Sequence, residues 1–587
     1  MILNVLADYY QELVEKNKGV NVPGWQIKKV GHELLINKEG ELLDIVSTAY
    51  EEEQIVKGKP KKVKLVKEVL VPHIDRSGSG MNPIFLCDTP EYILGVSQKD
   101  DEKKRKKKLN SMKELCQEIL KEQEDFLAKA LLNFYKRWDL KIANEHSKIH
   151  KHLDNKDFLT SNLIFRLDET NEYLHEDLNL QNIWNNHLKK EAEGITLCSI
   201  SGNHEEIARL HPKIKGLYGG QAAGGSLISY NSRAFEYFGK VDGSISPISE
   251  QVAHAYASAL TWLLKRENKH ISQMGNVAVL FWSKTGNQTS DNMVDMLFNP
   301  KNDEVKTLAG FFEKMIRGDY PTDVEKELES DYYVLGLAPN NARISIKFFM
   351  SNTVGYFFEN IEDHFSNLDI VGPPDKKTLT IRDLLSETIN KNSNDKNPKE
   401  DLSIGLVKAI LEKHNYPIEL VYATISRMRA EIHGDDKTAQ YAINYRRMAI
   451  IRAYLIRNIN YTKEKITVAL NKEWDNTAYL LGRLFATYEK IQEDAPGGNA
   501  TIKGSYFSSA STTPASIFPN VTKSGELYLG KMNEGSKIYF SRIIGEIMNL
   551  LPAKHYPKNL AFDEQNIFIL GYYHQRQDLF TKKDEVK

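Results

Sequence analysis

Strand-length apolar segments occupy the chain as far as about residue 375. Beyond that point they fade, and long amphipathic segments follow one another to the end. A change of hydrophobic period at one place excludes a uniform repeat, an all-β sandwich and an all-helical bundle for the whole chain. Between about 160 and 370 the segments NLIFRLD, ITLCSIS, SLISY, VAVLFW, YYVLGLA and RISIKFF read as strands, while EQVAHAYASALTWLLKR and TLAGFFEKMIRG repeat with helical spacing. At the start, Ile2, Leu3, Leu6, Tyr9, Tyr10, Leu13 and Val14 fall on one helical face, and ELLINKEGELLDI alternates about Lys38, Glu39 and Gly40 as a hairpin does. The expected fold is multidomain α+β. It runs as an N-terminal α+β region (1–98), a charged and largely helical connector (99–158), a central α+β region (159–372), a helical linker region (373–445) and a C-terminal all-α bundle (446–587). A length of 587 residues suits three or four domains.

Charge narrows the functions open to such a chain. Lys and Arg total 78 against 79 Asp and Glu, a net charge of −1, so the surface is not uniformly basic and any hold on nucleic acid rests on local patches. One such excess lies between Arg446 and Lys587, with 20 Lys and Arg against 14 Asp and Glu. In the segment 476–493, Leu480, Leu481, Leu484, Phe485, Tyr488 and Ile491 share one arc, with Arg483 and Lys490 on a polar flank. The run KDDEKKRKKK at 99–108 reads as a solvated linker or helix face, with a phosphate-contacting arm as the alternative. Cys87, Cys116 and Cys198 are too far apart for a disulfide framework or a CxxC zinc site, which fits a reducing compartment. The first residues lack the basic region and cleavage site of a secretory signal, and no apolar run reaches the roughly 18 to 20 residues that span a bilayer. A cytoplasmic protein with no membrane segment is expected.

No catalytic constellation is visible. The chain lacks GxxxxGK[ST], HExxH, GxSxG and an adjacent His-Asp pair, and its 16 His are scattered. The expectation is a non-enzyme with no metal and no cofactor. The competing reading is a stand-alone metal-dependent nuclease or nucleotide-dependent DNA-remodelling enzyme whose site has no linear motif. The most informative stretch is IARLHPKIKGLYGGQAAGGSLISYNSRAFEYFGK at 207–240. There Gly216, Gly219, Gly220, Gly224 and Gly225 sit among Arg209, His211, Lys213, Lys215, Gln221, Ser226 and Asn231. Glycines beside cations and amides suit a loop that meets a phosphate backbone or base edges; tight turns between strands are the alternative. A second small-residue loop, RSGSGMNP at 76–83, offers Arg76 and Asn82, with an ordinary turn before a strand as its plainer reading.

Several segments together identify a relationship. VPGWQIKKVGHELLINKEGELLDI, NPIFLCDTPEYILG and ARLHPKIKGLYGGQAAGGSLISYN resemble the large, signature subunit of the type I-C CRISPR Cascade surveillance complex. So do LLGRLFATYEKIQEDAPGGNATIKGSYFSSASTTPASIFP and FILGYYHQRQDLFTKK, in the same order along the chain. The resemblance implies a non-catalytic subunit that holds the 5′ end region of the guide RNA complex beside the backbone and 5′-end-binding Cascade subunits. It would read the protospacer-adjacent motif in double-stranded target DNA, help to open the duplex into an R-loop and recruit a separate helicase–nuclease, with sequence specificity left to guide pairing. It also implies a glycine loop and an amide wedge at the motif. By motif position these are Gln221 and then Asn231, with Gly219, Gly220, Gly224 and Ser226 around them and Arg209, Lys213 and Lys215 on phosphates. Arg76, Asn82, Arg483, Lys490 and Arg576, with Lys582 and Lys583, are further DNA-backbone candidates. A separately translated C-terminal small subunit is a further implication, for which Met448 is the candidate internal start.

Overall fold

A computed structural model of the chain describes residues 2–56, 59–74, 82–97, 101–190, 195–230, 232–286, 291–292, 294–295, 325–390, 398–432, 441–497, 502–552 and 556–581. It divides into two compact units. One comprises Met1–Lys215 and Ala222–Trp262, the other Gly216–Gln221 and Leu263–Lys587. Strands and helices mix in both, and helices dominate towards the C-terminus, so the fold is α+β as the change of period predicts.

In the first unit, helix α1 (Ile2–Glu15) buries Leu6, Tyr9, Tyr10 and Leu13, the face set by their spacing. The unit is organised by strand β1 (Trp25–Ile36), whose first half pairs antiparallel with β5 (Lys67–Pro72) and whose second half pairs with β2 (Leu42–Ser47). The β1–β2 hairpin turns where the sequence predicts, with Gly40 at φ +81. Between these elements β3 (Tyr50–Val56) and β4 (Lys59–Leu65) form a separate two-stranded ribbon, with Glu51 opposite Lys64 and Glu53 opposite Lys62. Strand β7 (Asn162–Leu167) joins β1 in parallel and β6 (Cys87–Asp88) antiparallel. A parallel neighbour requires a long crossover, and here it contains α2 (Glu102–Leu120) and α3 (Phe126–Arg137). Residues 99–158, which the charge run suggests as a connector, therefore supply Leu109, Met112, Cys116, Leu131 and Phe134 to the same core as β1 and β7. Lys103, Lys104, Lys106 and Lys107 of that run are exposed on α2, and the half-buried Lys108 pairs with Glu91. Helix α4 (Leu178–Lys190) buries Trp184 against Phe85. A small hairpin of β8 (Ile195–Leu197) and β9 (His204–Glu206) precedes α5 (Glu250–Leu263).

The second unit opens with an antiparallel sheet of β10 (Ile271–Met274), β11 (Val277–Ser283), β12 (Asp331–Asn340) and β13 (Arg343–Thr353) in sequence order. Every residue of β11 is buried, which is why VAVLFW is apolar without alternation. The expected helix TLAGFFEKMIRG lies outside the described residues. Helices α6 (Val354–Leu368), α7 (Glu400–Leu411), α8 (Ile418–Ile432), α9 (Tyr445–Arg457), α10 (Thr477–Asp494), α11 (Ile502–Ala510), α12 (Pro514–Leu529), α13 (Glu534–Leu550) and α14 (Phe562–Phe580) complete it. One continuous hydrophobic core joins the sheet to the last helix. At its centre α10 and α14 touch backbone to backbone. A Cβ on Gly482 would overlap the Phe568 carbonyl, and one on Gly571 would overlap the Tyr479 carbonyl.

All three cysteines are buried and unpaired. Among the described residues no helix is long and apolar enough to cross a membrane, and no group of three or more His, Cys, Asp or Glu is placed to hold a metal ion.

Candidate nucleic-acid interface

Two predicted strands near the glycine-rich stretch are short or missing. ITLCSIS keeps only Ile195–Leu197 as strand, and SLISY runs as an irregular segment. Residues 207–209 are held extended by a bridge between Ile207 and Ser249 and by the Ala208 amide donating to the Ile248 carbonyl at 2.9 Å. A pocket of about 140 Å³ opens beside them, lined by Arg209, His211, Lys213, Ser226, Tyr230 and Asp242 among others. Arg209, Lys213 and Ser226, separate candidates in the sequence, thus share one depression of the first unit.

The electrostatics differ from residue to residue. Arg209 is paired with Asp242 at 3.2 Å. Burial holds the His211 imidazole below its ordinary pKa, so it is neutral at physiological pH. Its Nδ1 lies 2.7 Å from the Tyr256 hydroxyl of α5, whose own pKa burial pushes up. Its Nε2 is buried with no hydrogen-bond partner among the described residues. Lys213 and Lys215 are exposed and in no ion pair among the described residues. The unbalanced positive charge is therefore theirs.

The loop that follows is closed at its ends by Ile214 and Gly225, which exchange two backbone hydrogen bonds of 2.9 Å. Gly224 has φ +90 and would place a Cβ against the Ile214 carbonyl, so only glycine completes this closure. The segment Gly216–Gln221 belongs to the second unit, where Gly219 lies against Asn276 and Pro339. Tyr218, Gly219, Gly220 and Gln221 are all exposed, Gly224 is buried and Ser226 is half-buried. Asn82 is exposed just before β6. Arg76, Asn231, Lys582 and Lys583 lie outside the described residues.

The C-terminal cations are placed otherwise than expected. Arg483 is 2% exposed and donates to Gln575 Oε1 at 3.1 Å and to the Lys472 carbonyl. Arg576 pairs with Glu493 at 2.9 Å and Glu489 at 3.5 Å. Lys490 pairs with Asp494 and lies over the Phe580 ring. All three are expected on DNA phosphates from the sequence; within the chain the bundle itself supplies each of them with a partner. Three further arginines of α9 are consumed in the same way. Arg447 meets Glu387 and Glu431, Arg452 the Ser366 and Asn367 carbonyls, and Arg457 Asp363. The positive excess beyond residue 446 is to this extent internal.

Sequence reasoning read the 207–240 stretch for its glycines, cations and amides and left aside the aromatics of 232–241, a segment in which every residue is exposed. Phe235, Tyr237 and Phe238 crowd between Arg233 and Lys240 there, and that aromatic–basic alternation was the available signal.

No curated protein matches the chain. The family model of the CRISPR-associated protein (Cas_Csd1) matches residues 6–580, which is nearly the whole chain. The chain therefore belongs to the Cas_Csd1 family of CRISPR-associated proteins.

Proposed function

We propose that the chain is the large, non-catalytic subunit of a type I-C surveillance complex. In this reading it holds the guide RNA complex together with the backbone and 5′-end-binding subunits. It reads the protospacer-adjacent motif in double-stranded DNA, assists opening of the duplex and recruits a separate helicase–nuclease in the cytoplasm. Family membership supports a Cascade subunit in general. The DNA-reading role rests on one observation: Gln221 stands exposed on a glycine-rich segment; in the sequence it follows Lys213 and Lys215, which are exposed and in no ion pair among the described residues. A small amide on a thin backbone is suited to enter a minor groove, where it can accept from guanine N2 or donate to the acceptors of the groove. The pocket fits the same reading. It is smaller than the roughly 300 to 1,000 Å³ of small-molecule sites, and its open basic rim suits one phosphate of a long polymer better than an enclosed substrate. The His211 Nε2 is buried beside the pocket with no hydrogen-bond partner among the described residues.

The test uses the assembled complex. Gln221→Ala is expected to weaken binding of motif-bearing duplex roughly 5- to 100-fold, the range of a lost base-edge contact. Guide assembly and binding of motif-lacking duplex should be unchanged. Equal losses on both duplexes would remove Gln221 from motif reading.

A further inference from the structure

The turn at Tyr237–Lys240 is built against local preference. The Lys240 amide donates to the Tyr237 carbonyl at 2.9 Å, and both central residues have positive φ, Phe238 at +47 and Gly239 at +74. Such mirror-image turns favour Asn, Asp or Gly at the first central position, because a bulky side chain there crowds its own backbone. A phenylalanine occupies it instead, and the residue is 99% exposed. Backbone strain and a fully solvated apolar ring coincide at one residue, and neither serves the core. Local rules broken together in this way mark a functional position.

The stem that carries the ring is fixed. The Tyr237 hydroxyl donates to the Ile245 carbonyl at 2.9 Å, and the Val241 amide donates to Ser244 Oγ at 3.0 Å. Gly243 packs so closely on Ala208 that a Cβ would overlap the carbonyl, and Asp242 holds Arg209. The ring is thus held away from the protein by a braced turn whose base lines the basic pocket. From 209 to 240 the chain carries five Lys and Arg against the single carboxylate Glu236. A flat apolar face bracketed along the sequence by Arg233 and Lys240, the latter over the neighbouring Tyr237 ring, matches a nucleobase joined to phosphates on either side. An apolar protein partner would have no use for the cations.

We propose that Phe238 is a stacking platform for an unpaired nucleobase of single-stranded nucleic acid, with Arg233 and Lys240 on the flanking phosphates. The proposal rests on the reading of the chain as a nucleic-acid-binding subunit and adds to it a site for a strand that is not base-paired. It is independent of which residue reads the motif.

The purified full-length chain is titrated into fluorescein-labelled oligothymidylate and oligouridylate, and anisotropy is followed over a series of salt concentrations. Phe238→Ala is expected to weaken binding roughly 5- to 100-fold, the effect of losing one stacked base. The slope of log affinity against log salt should stay as in the wild type, because no charge is removed. Phe238→Trp should restore affinity to within about 2-fold, since any aromatic face serves. Lys240→Ala should instead make the slope shallower. A preference between the two oligomers tells DNA from RNA as the source of the base. Failure of the wild-type chain to bind either oligomer, or wild-type affinity in Phe238→Ala, would overturn the proposal. So would a Phe238→Ala chain that keeps its oligonucleotide affinity but no longer assembles with partner subunits, since the turn would then be a protein contact. Motif reading is scored separately, on duplexes in the assembled complex with Gln221→Ala, so either idea can fail alone.

Discussion

A lysine and an arginine of equal charge have different fates according to what surrounds them. Lys213 and Lys215 stand in water without partners among the described residues, whereas Arg483 is enclosed and hydrogen-bonded to Gln575. Substituting the first pair removes charge that a phosphate would otherwise meet. Substituting the second strands a buried amide. Lys213→Ala and Lys215→Ala are each expected to flatten the salt dependence of DNA binding by about one unit of slope, with Tm unchanged. Arg483→Ala should lower Tm and leave the slope alone. A salt series on the assembled complex and a thermal melt of the chain separate these outcomes; an unchanged slope in both lysine variants would remove them from the phosphate contacts. The helical spacing of 476–493 correctly placed Arg483 and Lys490 on one flank of α10. It carried no information on what covers that flank.

The same limit operates on elements. Read by its period, α10 is amphipathic, yet it is buried almost all round from Ala478 to Glu489, as befits a central helix. Its approach to α14 depends on Gly482 and Gly571, each facing the other helix's backbone. Adding one methyl at either position forces the helices apart, and Gly571→Ala is expected to destabilise the chain by about 1–3 kcal/mol, the usual range for overpacking a filled core. Urea unfolding checks this; a midpoint within error of the wild type would show that the crossing has slack. Helix α9 bears on the internal start suggested at Met448. That residue lies inside the helix and in the core, and the partners of Arg452 and Arg457 at Asp363, Ser366 and Asn367 precede it. A fragment beginning there would leave Arg457 without its acceptors at Ala409, His414 and Asp363, while Arg452 would lose the Ser366 and Asn367 carbonyls and keep those of Ile466 and Thr467. The hairpin at Gly40, the first helix and the strand VAVLFW were legible because turn chemistry and period are local properties. SLISY was misread because five residues of strand composition do not form a strand without a neighbour to pair with.

On the scale of the whole molecule the near-zero net charge conceals where charge is absent. Burial is the leading cause that pushes His32 and His175 of the first unit from the usual 6.5 to about 4, and His364 and His574 of the second to about 3. These rings are neutral in the native state well below pH 6, whereas the unfolded chain takes up a proton on each near 6.5. Below that pH the unfolded state binds more protons, so stability falls as pH falls, through the window from about 6.5 towards 4 and then 3. Urea midpoints measured between pH 7.5 and 5 should therefore decline while most carboxylates are still ionised. A flat profile across that range would mean that the histidines are not buried as described.

The sequence by itself determined the class of fold, the elements with strong periodicity and the family, because these depend on neighbours along the chain. It also localised a basic, glycine-rich stretch at 207–240 and named Arg209, His211, Lys213 and Ser226 among the residues that line its pocket. Only the tertiary structure decided which cations face water and which are taken up by the bundle, and only it revealed a phenylalanine held out on a strained turn. Burial and ion pairing are settled by residues many tens of positions apart, as Arg483 with Gln575 and Arg452 with Ser366 show. No local pattern encodes such partners.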